Sequence, residues 1–251
     1  TNVKASFGES RWIGAITKAD AHTPEGRIFH GSEMKKETVK AAWAAADSLS
    51  RKSIYVRTTF TSQQKKVKQA VVNICGLGLY ELSINGKKVG NSEFTPLISD
   101  YDKSVWYNTY DVTTLLQKGN NAIGVLLGNG FYNVQGGRYR KLLISFGPPT
   151  VRLQLTIHYE DGTSQTVASD KTWKYDFSPV TFNCIYGGED YDARQEQKGW
   201  NMAKFNDTLW NQVVVQEGPK GVLRPQIAAP VAIMEHYSPI SATHLPDSLL
   251  A

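Results

Sequence analysis

Cysteine is nearly missing from this chain: its 251 residues include two, Cys75 and Cys184. So low a count excludes a disulfide framework and a cysteine-based zinc site. Cys75 lies in the apolar run 71–75 and Cys184 beside Ile185 and Tyr186, so both read as buried free thiols rather than as a bridge. Histidine is scarce as well. His22, His30, His158, His236 and His244 show no close pairing of the kind that zinc requires, and no Ser-His-Asp set can be located from them. No apolar stretch approaches the ~20 residues of a membrane-spanning helix. Gly76-Leu77-Gly78 lacks the third glycine and helix start of a dinucleotide loop, which leaves relief of a strand bend as its reading. The first residue is Thr1 in place of Met, as expected where a leader has been removed or trimmed. The compartment is not encoded, with a periplasmic or secreted setting favoured over a cytoplasmic one.

Acidic surplus is also missing, and the net charge of +5 raises the question of nucleic acid. Most Lys and Arg stand singly among acids, and only Lys65-Lys66-Val67-Lys68 and Arg138-Tyr139-Arg140-Lys141 are dense. The first precedes a strand as ordinary solvated charge. The second follows Gly136-Gly137 in a loop with Phe131, Tyr132 and Tyr139, where ligand contact and plain exposure both remain open. Neither nucleic acid nor a membrane is expected as a partner.

What is present is strand and turn. Tyr80, Leu82 and Ile84 alternate with polar residues, so three large side chains share one face of a strand. Asn85-Gly86 supplies the two positive-φ positions of a type I′ hairpin, and 87–89 begins the return strand. Further strands are expected at 53–60, 67–75, 105–111, 122–127, 150–158 and 163–168, with a second hairpin at Glu160-Asp161-Gly162 and a single helical turn capped by Asp111 or Thr113. Closely spaced short strands imply a sandwich rather than a parallel sheet. Residues 1–50 form a lead-in with a helical stretch at 39–46, residues 51–224 the β-sandwich, and residues 225–251 the truncated start of a following β domain, with a strand at 227–234. Phe205 and Trp210 are read as packing residues of a closing motif.

An ordered set of motifs runs through almost the whole chain: Arg11-Trp12-Ile13-Gly14, Arg51-Lys52, Thr59-Phe60, the run from Gly76 to Gly86, Tyr107 to Val112, and Gly128-Asn129-Gly130-Phe131-Tyr132. Ser169-Asp170 with Trp173, Tyr186-Gly187-Gly188-Glu189, Tyr191-Asp192-Ala193-Arg194 and Gly199-Trp200 follow. Together they resemble the N-terminal β-sandwich region of bacterial α-L-rhamnosidases, and the strand-Asn-Gly-strand piece also occurs in sugar-binding domains of β-galactosidase-type hydrolases. The resemblance implies an all-β, galactose-binding-like jelly-roll β-sandwich. It also implies a parent enzyme that releases terminal L-rhamnose by inversion, with the acid and base on an (α/α) barrel that this chain lacks. L-Rhamnose-containing glycans and that barrel are the expected partners.

Two groups of carboxylates carry the remaining chemistry. Glu189, Asp190, Asp192 and Glu196 are the best local set for a hydrolytic pair, and Asp190 and Asp192 would share a face of a strand with Tyr191 opposed. Loop capping or contact with a neighbouring domain is the preferred reading, so no catalytic residue is assigned. Asp100 and Asp102 are candidate Ca²⁺ ligands, because some domains of the resembled family hold L-rhamnose through calcium. The expected carbohydrate-binding set is Asp100, Tyr101, Phe131, Tyr132, Arg138 and Tyr139, which combines aromatic faces with groups for hydroxyls.

Overall fold

A computed structural model describes residues 7–16, 52–134, 144–241 and 243. The helical stretch at 39–46, most of the lead-in, Arg51, Arg138 and Tyr139 lie outside the described residues.

Nineteen short strands make up the described chain. They begin with β1 (Trp12–Gly14), β2 (Ile54–Thr61), β3 (Val67–Leu77), β4 (Tyr80–Ile84), β5 (Lys87–Lys88), β6 (Ser92–Glu93) and β7 (Ser104–Asp111). Next come β8 (Asn120–Leu127), β9 (Asn133–Val134), β10 (Ile144–Ser145), β11 (Thr150–Tyr159), β12 (Ser164–Ala168) and β13 (Lys174–Phe177). The last are β14 (Val180–Cys184), β15 (Gly188–Tyr191), β16 (Asn211–Gln212), β17 (Val214–Gln216), β18 (Val222–Pro225) and β19 (Val231–Ala232). One sheet has the order β17-β1-β11-β3-β7-β18, with β12 hairpinned onto β11, and the other has the order β16-β13-β2-β8-β4-β5.

The alternation of apolar residues decides how these sheets meet. Val72 and Ile74 of β3 and Val151, Leu153, Leu155 and Ile157 of β11 point inward from the first sheet. Ile54, Val56, Leu82, Ile84, Ile123, Val125 and Leu127 answer from the second, in one continuous buried cluster. Each such side chain contributes about 1.5–3 kcal/mol when fully buried, so the seam between the sheets holds the fold together. This is the expected galactose-binding-like jelly-roll sandwich. A second buried cluster, with Cys75, Leu77, Tyr101, Tyr107 and Tyr132, lies on the other face of the first sheet. Cys75 and Cys184 are both buried, and neither forms a disulfide among the described residues. No helix among the described residues is long and apolar enough to cross a membrane.

The hairpin at Asn85-Gly86 has φ of 51° and 81°, as its two residues require, and pairs Ile84 with Lys87. Its asparagine does more than turn the chain. Asn85 Nδ2 donates to the Leu115 carbonyl (2.9 Å) and to Asn121 Oδ1 (2.8 Å), while Asn85 Oδ1 accepts from the Ala122 amide (2.9 Å). The single helical turn is a 3₁₀ turn at Thr113–Leu115 whose N-cap is Val112, with no side-chain cap bond. Asp111 accepts the Thr113 amide at 2.9 Å from one position further back, and Thr113 Oγ1 instead accepts the Ala70 amide at 2.9 Å. The strand expected at 227–234 contracts to β19, which pairs antiparallel with β6, while β18 runs parallel to β7 as a sheet edge.

One outer face of the second sheet is covered by the segment 197–210. Tyr55 stacks on Trp200 with centroids 4.0 Å apart, and Trp210 packs beyond it at 6.4 Å. Arg57, fully buried, pairs with Asp207, donates to the Met202 carbonyl (3.0 Å) and lies over the rings of Phe205 (5.4 Å) and Trp210 (6.0 Å). Phe205 and Trp210 are packing residues, as expected.

The hairpin from β11 to β12 gives a pH prediction. Lys65 approaches Asp161 at 2.8 Å and the Thr163 amide donates to it at 3.0 Å. The Lys65 ammonium and the Thr163 hydroxyl and amide together hold its carboxyl down to about 2. A depressed carboxyl stabilises the folded state above its unfolded value of 3.8 and ceases to do so as pH falls through the folded value. The melting temperature of the wild type is therefore expected to fall between pH 4 and 2 more steeply than that of Asp161→Asn. The difference is small because the pair is solvated, and it shrinks in high salt. Parallel curves for the two proteins would reject the assignment.

Candidate functional site

The loop opening with Asp100 is a turn in its own right: the amides of Lys103 and Ser104 donate to the Asp100 carbonyl at 2.9 and 2.7 Å. Its carboxylate meets Lys103 Nζ at 3.0 Å and accepts the Asp102 amide at 3.3 Å. The Lys103 ammonium draws its pKa below the usual carboxylate range. Tyr101 and Tyr132 are brought together, but as core. Their rings meet edge to face at 5.0 Å, and Phe146 closes the cluster at 5.1 Å from Tyr101. The two aromatic faces expected to receive a sugar are thus used in packing, with residue exposures of 7% and 6%. Phe131 is partly buried and packs edge-on against Tyr186 at 5.9 Å. Arg138 and Tyr139 fall outside the described residues.

Calcium asks for six to eight oxygen ligands. Among the described residues no group of three or more His, Cys, Asp or Glu side chains is arranged to hold a metal ion, and the Asp100 carboxylate is already committed to an ammonium and an amide. Asp100 and Asp102 do not by themselves fit a calcium cage.

The carboxylates after Tyr186 divide by role. Strand β15 ends at Tyr191, so the alternation that would have placed Asp190 and Asp192 on one face stops before it reaches Asp192. Asp192 instead caps a 3₁₀ turn at Ala193–Gln195. It accepts from the Arg194 amide (3.1 Å) and from Arg194 Nε and Nη2 (2.8 Å each), which hold its carboxyl well below the ordinary range. The Tyr191 hydroxyl donates to Glu196. Glu189 of this set lines a concave surface.

That surface is an open cleft of about 460 Å³ at the ends of β4 and β8, walled by the β14–β15 hairpin. Leu79, Leu126, Val180 and Ile185 give it an apolar lining, and the backbone of Gly128 and Gly130 passes along it. Glu81, Glu93 and Glu189 are the acidic residues among those that line it. Lys88 ties the first two, at 3.0 Å from Glu81 and 2.6 Å from Glu93. Phe94 lines the cleft while 64% exposed, and its φ is 51°. Left-handed backbone at a bulky residue is a genuine outlier, of the kind found at ligand sites. Asn183 fastens the wall: it accepts the Asn129 amide (2.7 Å) and donates to Ser53 Oγ (2.8 Å). Sequence reasoning found Glu189 but missed Glu81, Glu93 and Phe94. The one local signal was an aromatic residue standing directly before Thr95-Pro96, outside any apolar alternation.

Comparison with known proteins gives a consistent result. The family described as "Alpha-L-rhamnosidase N-terminal domain" matches residues 65–235. An α-L-rhamnosidase of Formosa agariphila is 39% identical over 211 residues, covering 82% of this chain and 21% of that protein. The α-L-rhamnosidase structure from Dictyoglumus thermophilum superposes with a TM-score of 0.72 at 33% identity, covering 93% of this chain and 24% of that one. The Streptomyces avermitilis α-L-rhamnosidase, solved in complex with L-rhamnose, gives 0.70 at 31% identity, covering 77% of this chain and 19% of that one. The chain spans about a fifth to a quarter of the length of these relatives.

Proposed function

The chain belongs to the α-L-rhamnosidase N-terminal domain family, and from that premise we propose that it is a non-catalytic accessory domain of a longer glycoside hydrolase, serving an (α/α) catalytic barrel and holding rhamnose-containing glycans. The observation that carries this reading is how its carboxylates are used. Hydrolysis of a glycosidic bond needs two carboxyl groups facing one bond, one of them kept protonated by its surroundings. Here Asp192 is neutralised by Arg194 and Glu196 is bonded by Tyr191, and the shifts resolved for Asp100, Asp111, Asp161 and Asp192 all run downward, toward the ionised form. The four aspartates each accept a turn amide and are held toward the ionised form, a use that supports the accessory reading over a proton-donating one.

The purified 251-residue chain is expected to release no aglycone from an aryl α-L-rhamnoside. Turnover that persists through purification and disappears in Glu189→Gln would overturn the accessory reading and install a small hydrolase in its place.

A second reading, a purely structural module packed on the barrel, is favoured by one observation. Ile227, Met234, Tyr237 and Ile240 are 85% exposed or more along the segment that follows β18. Apolar surface of this extent is ordinarily covered by another protein surface.

A further inference from the structure

We propose that the cleft between the β4 and β8 ends and the β14–β15 hairpin is a binding site for a neutral deoxyhexopyranoside, separate from the Asp100 loop. The inference rests on the reading of the chain as a glycan-handling domain, and it names a place and a chemistry for that role. A volume of about 460 Å³ falls in the range of small-ligand sites, roughly 300–1,000 Å³. A deoxysugar has an apolar face of C–H groups and a methyl, ringed by hydroxyls, and so needs an aromatic plate, an apolar wall and hydrogen-bond acceptors at the edge. Phe94 is the plate, Leu79 and Ile185 belong to the wall, and Glu81, Glu93 and Glu189 are the acceptors.

The environment of each part agrees with that use. Phe94 keeps an exposed ring on a backbone conformation that costs of order 1–3 kcal/mol at a non-glycine residue, so the position is held against both solvation and strain. Glu93 is fixed by Lys88 at 2.6 Å, and Glu81 by the same ammonium at 3.0 Å, so two acceptors are oriented in advance. Hydroxyl donors to carboxylates make short, charge-assisted bonds. Three carboxylates against one ammonium leave the edge negative, which disfavours a sugar bearing a carboxylate of its own. Monosaccharide affinity at an open site of this size is expected at roughly 0.1–1 mM.

The test is titration of the ¹⁵N-labelled chain with methyl α-L-rhamnopyranoside and, separately, with D-glucuronate. The rhamnoside is expected to shift the amides of Gly128, Gly130 and Gly188 saturably, and the glucuronate to leave them in place. Phe94→Gly, which removes the ring and suits a φ of 51°, should keep or raise the melting temperature while weakening binding about tenfold. Glu189→Gln should weaken it as well, and Asp100→Ala should not. Binding lost in Asp100→Ala and unchanged in Phe94→Gly would overturn the cleft and leave glycan binding standing at the loop. Equal binding of the glucuronate would overturn the assigned chemistry. No saturable shift with either sugar would overturn the cleft and the glycan-holding role together, with the non-catalytic assignment still resting on the absence of turnover.

Discussion

Asp207→Ala is expected to cost about 3–5 kcal/mol, the usual penalty for stranding a buried charge, and to lower the melting temperature by roughly 10 °C. The Arg57 side chain is wholly inaccessible, and burial already pulls its pKa downward. Without Asp207 its guanidinium keeps the Met202 carbonyl and the faces of Phe205 and Trp210, but no counter-charge. The opposite deletion is gentler. In Arg57→Met the volume is nearly kept, and Asp207 retains Lys174 at 2.9 Å and partial access to water. The expected order of loss is therefore Asp207→Ala, then the double variant Arg57→Met/Asp207→Ala, with Arg57→Met below the first. Thermal or urea unfolding of the three proteins reads the coupling directly. Equal and additive losses would show that the pair is screened and that segment 197–210 is held by its rings alone.

The two sheets were legible because their inner faces are written at a period of two. Val56, Val72, Leu82, Ile123 and Leu153 each sit in an alternating run, and each is buried at the seam. The same alternation misleads about the outer face. Arg57 and Gly124 lie opposite the core in β2 and β8, where water is the default expectation, yet a Cβ at Gly124 would meet Trp200 at 2.6 Å and Asn201 at 2.8 Å. A strand's own pattern says which side is turned inward. It does not say whether a distant segment covers the other side.

The candidate site divides along the same line. Tyr101 and Tyr132 looked like ligand aromatics because they stand in loop-like sequence beside Asp100 and Phe131, but the loops fold back and their rings complete a core. Glu81 looked like an ordinary outward strand residue and Glu93 like loop charge. They become parts of one cleft only because β4, β8 and the β14–β15 hairpin end at the same corner, which is a property of topology and not of any local spacing. β18 was unreadable for a similar reason: its parallel partner β7 lies more than a hundred positions earlier in the chain, and its edge position leaves most of its residues exposed.

Gly78→Ala tests that corner, and it should damage fold and cleft together. A Cβ at Gly78 would stand 2.0 Å from the Gly128 carbonyl oxygen, at a φ of 111° that L-residues avoid. Relief requires Gly128 to retreat by roughly 1 Å or more, since nonbonded heavy atoms settle near 3.5 Å. It is not free to do so: its amide donates to the Leu79 carbonyl at 2.8 Å, and the neighbouring Asn129 is bound to Asn183 through both its backbone amide (2.7 Å) and its side chain (3.1 Å). Backbone strain and overpacking together put the loss at about 4 kcal/mol. Gly162→Ala is the matched comparison, with φ 83° and nothing within 4 Å of the added carbon. There only the left-handed backbone is penalised, by about 1–2 kcal/mol. Thermal unfolding of the two variants should therefore separate them by several degrees, with rhamnoside-induced shifts at Gly130 retained in Gly162→Ala and lost in Gly78→Ala. Equal melting temperatures would mean that the Gly128 carbonyl yields cheaply, and that the corner is too soft to hold the cleft in shape.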